Sequence, residues 1–105
     1  MTNQPISEQY RLAALEWVDL DDAARLLEST KSSTLAMLMK ARGDIPAAHA
    51  ERDVKATIAW REHIEKMDIA RTAANRAKVQ MEYLRMKFSE QQSMEASQRA
   101  EMRLS

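Results

Sequence analysis

The chain has 105 residues, 16 of them basic and 16 acidic, for a formal net charge of zero, with 45% hydrophobic and 30% charged residues. This suffices for one modest folded domain, is too apolar for a disordered chain, and gives no global attraction to nucleic acid or anionic membrane. The absence of cysteine excludes disulfides, thiolate zinc sites and cysteine nucleophiles, and a single glycine excludes a phosphate-cradling loop.

One glycine, two prolines and an Ala/Glu/Lys/Arg-rich body predict an all-α fold in one domain. The first six residues read as a short lead without the basic and apolar segments of a signal peptide. No apolar run approaches the ~18 residues of a membrane span. A cytoplasmic protein is therefore expected.

Ser7 is a candidate N-cap, with Glu8 in the first turn, for a helix over about 8–17. Asp19, with Asp22 three residues on, offers a second cap at which the chain bends or restarts. From Leu20 the apolar pattern Leu20, Ala24, Leu27, Thr34, Leu38, Ala41 keeps helical phase across the polar stretch 29–34, which predicts one helix over 20–42. Lys40, Arg42, Gly43 and Pro46 form a helix stop: cations at the negative end, glycine past it, proline beyond. The N-terminal helices thus occupy 7–42, and a turn with a short helix occupies 43–56.

Thr57 is the candidate cap of a helix over 57–104 that contains neither glycine nor proline. Trp60, Met67, Ala74, Met81 and Phe88 recur every seven residues, and His63, Ala70, Ala77 and Leu84 follow three behind. These two lines make a coiled-coil-like seam of four heptads. The seam fades at Gln91, Glu95 and Gln98. A helix of ~45 residues is about 70 Å long, whereas 20–42 spans only about 33 Å, so a helical hairpin leaves much of the longer helix uncovered. Ile69, Thr72, Val79, Tyr83 and Met86 form a second apolar line roughly opposite the seam. A helix apolar on two faces is normally sandwiched between neighbours, and the second face implies another chain. The competing reading is one helix over a small core with some exposed Met and Tyr.

Arg71, Arg76, Lys78, Arg85 and Lys87 form a basic stripe broken only by Glu82. Such a stripe could track phosphates. The alternative is neutralisation by the acidic segment Glu16, Asp19, Asp21, Asp22 and Glu28: a hairpin turning near 43–57 brings 16–22 beside about 78–87, with Asp19, Asp22, Lys78 and Arg85 fixing the register. A parallel homodimer would set Lys66 against Arg71, which favours an antiparallel dimer.

Chemistry is sparse. His49 and His63 belong to no metal-ligand motif, and His63 on the seam reads as a packed residue. The serines have no nucleophile-elbow context and read as caps or solvated positions. No catalytic, cofactor or metal site is expected, and the chain is read as a non-enzyme. Met67 and Met81 read as core, whereas Met86, Met94 and Met102 lie where the chain has little to cover them and suit an adaptable partner surface.

Leu26-Leu-Glu-Ser-Thr-Lys31, Ala50-Glu-Arg-Asp-Val-Lys-Ala56 leading to Trp60, and Tyr83-Leu-Arg-Met-Lys-Phe-Ser-Glu90 together resemble short helical proteins of proteobacterial tailed phages and prophages. The resemblance spans about 17–104. It implies a phage or prophage context, in assembly, recombination or host inhibition, and brings no site residues with it.

The expectation is thus a helical interaction or assembly protein, oligomeric and most simply a dimer, that associates through Val79, Tyr83, Met86, Phe88, Met94 and Met102. The alternative is a nucleic-acid accessory protein using the basic stripe.

Overall fold

The computed structural model describes residues 3–104. Four helices follow one another: α1 Ile6–Ser29, α2 Lys31–Lys40, α3 Ala47–Lys55 and α4 Ile58–Leu104. There is no strand among the described residues. α1 and α4 lie side by side as an antiparallel hairpin, while α2 packs on α3 beside the N-terminal end of α4. The molecule measures 84 × 25 × 16 Å with a radius of gyration of 23.4 Å, against about 13 Å for a compact chain of this length.

α1 begins two residues earlier than Ser7 suggests. Pro5 stands at the cap position, and its carbonyl accepts from the Glu8 and Gln9 amides at 3.0 Å. Proline's fixed φ is already suited to a helix start, so no side-chain cap is used. The expected break at Asp19 is absent. Tyr10, Ala13, Trp17, Leu20, Ala24 and Leu27 form one row of buried and half-buried residues along α1. Packing on α4 therefore holds the helix straight through its acidic stretch.

The break falls instead at Thr30, inside the segment 20–42 that periodicity joins into one helix. There the Ser29 hydroxyl donates to the Leu26 carbonyl at 3.0 Å, and the Thr30 hydroxyl bonds the carbonyls of Leu26 and Leu27 at 2.9 and 3.2 Å. Such back-bonding competes with the amide ladder and bends helices. α2 then ends as expected. Gly43 has φ +89°, a conformation that costs an L-residue about 1–2 kcal/mol, and supplies the turn toward Pro46.

α3 is amphipathic and buries Ala50 and Val54. Thr57 caps α4 as expected: the Trp60 amide donates to Thr57 Oγ1 at 3.2 Å. The same hydroxyl donates to the Val54 carbonyl at 2.6 Å, tying the end of α3 to the start of α4.

The α4 seam is the inner face. Trp60, Ala74 and Leu84 are buried, and His63, Met67, Ala70, Ala77, Met81 and Phe88 are half-buried. The register differs from the charge-based expectation. Arg71, not Lys78 or Arg85, meets the acids of α1, bonding Asp21 and Glu28 at 2.7 Å each. Lys78 lies 5.8 Å over the Trp17 ring. Asp22 is spent on Arg25 of its own helix. Residues 16–22 therefore lie beside about 73–79, more than one turn from the expected 78–87. A salt bridge between the most numerous opposite charges is weaker than the fit of the apolar rows, and the rows set the register.

Candidate protein–protein interface

With the seam turned inward, the second apolar line of α4 faces away from α1. Ile69, Val79, Tyr83 and Met86 keep 70%, 67%, 47% and 56% of their surface. Thr72 and Arg76 are exposed between them. Periodicity fixes this arrangement: these residues sit two positions after seam residues, which is about 200° around a helix. Isolated exposed apolar residues are ordinary, but four along one helix face are not.

Of the residues expected at the interface, Val79, Tyr83 and Met86 share this outer face. Phe88 does not: it is half-buried on the seam, because 88 continues the series from Trp60. Met94 and Met102 are 63% and 75% exposed on the terminal stretch, where every described residue from Ser89 onward is exposed.

One surface escaped the sequence reading. α1 also carries an outer row, in which Leu12, Leu15 and Leu26 are exposed, with Val18 at its flank. Asp19 and Asp22 complete the row at the same spacing. Breaking α1 at Asp19 hid this row. The signal that could have found it is the unbroken 3–4 alternation of Leu12, Leu15, Asp19, Asp22 and Leu26.

The five basic residues do not form one stripe. Arg71 is enclosed by Asp21 and Glu28, whose carboxyls it holds below their ordinary range by hydrogen bonding, while its own guanidinium is raised by the same bonds. Lys78 faces α1 through Trp17, and Lys87 lies over the Tyr83 ring at 5.9 Å and within 3.8 Å of Glu90. Arg76 stands on the outer face, and neither it nor Arg85 has an ion-pair partner among the described residues.

The histidines lie apart. His49 is exposed on α3, whereas His63 stacks on Trp60 with centroids 5.7 Å apart, its Nε2 buried without a hydrogen-bond partner. No group of three or more metal-ligating side chains occurs among the described residues, and no described helix is long and apolar enough to cross a membrane.

No described protein family, no curated protein and no solved structure matches this chain.

Proposed function

We propose that the protein is a non-enzymatic helical assembly protein that self-associates through the outer face of α4. One observation carries this: the seam of α4 is filled by the chain's own α1, yet Ile69, Val79, Tyr83 and Met86 form a second apolar row that no described residue covers. The apolar area of such a row is the main favourable term in association. The elongated shape supports the same reading, because it offers a long contact edge rather than a concave pocket. A cytoplasmic, phage- or prophage-encoded protein is the setting that the resemblance to short helical phage proteins suggests.

The test is Tyr83→Glu with Met86→Glu. The double variant is expected to stay helical and fall to the 12.0 kDa monomer by light scattering. An oligomer of unchanged mass after the double change refutes the proposal.

The nucleic-acid reading draws less support. Arg71 and Lys78 are held against α1, so the remaining cations are too few and too scattered to follow a phosphate backbone.

A further inference from the structure

The occupant of the α4 outer face can be read from the two outer rows. On α4 the row is Ile69, Thr72, Arg76, Val79, Tyr83 and Met86, apolar with one cation in the middle. On α1 it is Leu12, Leu15, Asp19, Asp22 and Leu26, apolar with two carboxylates in the middle. Arg76 and Asp19 have no ion-pair partner among the described residues.

We propose that the outer face of α4 receives the outer face of α1 from a second copy of this chain. Laid antiparallel with the rows in phase, Leu12 meets Met86, Leu15 meets Tyr83, and Leu26 meets Thr72. Asp22 then meets Arg76, with Asp19 one turn away beside Val79. Two apolar layers, at Leu12 and Leu15, thus form in the same register that brings Arg76 to Asp22. This is also within one turn of the register in which α1 of the same chain lies on the inner face, where Trp17 meets Lys78 and Arg71 lies between Asp21 and Glu28. Neighbouring copies thus continue the hairpin sideways at one level.

The two-fold alternative, α4 on α4, fits less well. Parallel and in register, Glu62, Glu65, Arg76 and Glu90 would each face their own copy, a like-charge contact at every charged layer. Antiparallel, Ile69 can meet Met86 and Thr72 can meet Tyr83, but Arg76 meets Val79 and finds no carboxylate in the row, whereas against α1 it finds Asp22. Either way the leucines of α1 stay in water.

A contact between two different faces is heterologous, so it either closes into a ring or grows without limit. On both helices the outer row follows the inner row by two positions, about 206° on a 3.5-residue period, which leaves about 154° the short way round. Because α1 and α4 are antiparallel, both bends open to the same side. The array therefore curves, and it holds more than two chains.

This inference rests on the proposed self-association, and the test separates the two. The chain has no cysteine, so single introduced thiols are unambiguous. A mixture of Leu15→Cys chains and Tyr83→Cys chains is expected to cross-link with a short bismaleimide, whereas neither cross-links alone. A chain carrying both substitutions should give a ladder extending beyond two chains. Arg76→Glu should weaken assembly at least about tenfold, and adding Asp22→Arg to the same chain should restore it. Cross-linking of Thr72→Cys with Tyr83→Cys chains, and not of Leu15→Cys with Tyr83→Cys, would overturn the heterologous contact while leaving self-association through α4 standing. A wild-type assembly of only two chains would do the same. A wild-type protein that is monomeric at every concentration would overturn both.

Discussion

Arg71 grips Glu28 with two parallel hydrogen bonds, Nε to Oε2 at 2.8 Å and Nη2 to Oε1 at 2.7 Å, while Nη1 donates to Asp21 at 2.7 Å. Asp21 and Glu28 lie two turns apart on α1, so one guanidinium fixes both the spacing and the rotation of the hairpin. Planar, bidentate geometry is available to arginine and not to lysine. Arg71→Lys is therefore expected to lower the melting temperature nearly as much as Arg71→Ala, although it keeps the charge. Thermal unfolding followed by circular dichroism checks this; a lysine variant as stable as wild type would show that only the charge matters.

The same cluster predicts a dependence on pH. Hydrogen bonds from Arg71 lower the folded-state pKa values of Asp21 and Glu28. A depressed carboxylate contributes stability that is fully present above its unfolded value, near 4, and is lost as the pH falls through the folded value. Wild-type stability should drop on acidification below about pH 4, and the drop should be shallower in a Asp21→Asn/Glu28→Gln variant. Urea midpoints across that range provide the measurement, and equal slopes would dismiss the linkage.

Gly43 sits at φ +89° with nothing within 4 Å of where a Cβ would stand. Any cost of Gly43→Ala is therefore conformational rather than steric. Destabilisation of about 1–2 kcal/mol is expected, with Gly43→Asn milder because asparagine tolerates the left-handed region. Chemical denaturation of the three proteins tests the order.

His63 occupies a half-buried seam position with its Nε2 unpaired. Replacing an unsatisfied polar group by an apolar one of similar size removes a desolvation penalty. His63→Leu should raise stability by about 1 kcal/mol, offset in part by the lost stacking on Trp60. A loss of stability on that substitution would mean that the imidazole bonds a group in solution.

Ala24 and Ala74 are fully buried, one on each helix of the hairpin. Small side chains there permit close approach of the two backbones. Ala74→Leu is expected to cost about 1–3 kcal/mol by overpacking, whereas the same change at the exposed Ala96 should be nearly neutral.

Much of this architecture is legible in the order of residues. The seven-residue recurrence from Trp60 to Phe88, the cap at Thr57 and the stop at Gly43 each depend on local chemistry, and each lies where that chemistry puts it. The length of α4, and the excess of apolar surface it carries, also follow from the absence of any helix breaker over 57–104. Local signals misplaced the ends of α1. Asp19 has the form of a cap, but packing along Trp17, Leu20 and Ala24 outweighs a cap worth about 1 kcal/mol.

What the sequence determined alone is periodic: two helices, each with two apolar rows, the second row set two positions behind the first. What only the tertiary structure decided is which of those rows the chain covers itself. The clustered acids of α1 and bases of α4 pair too weakly to select a register, so the fit of the buried rows selects it, and Arg71 rather than Lys78 or Arg85 comes to face the acids. That choice leaves Arg76 and Asp19 outside, on opposite edges of one molecule, where the chain itself cannot bring them together.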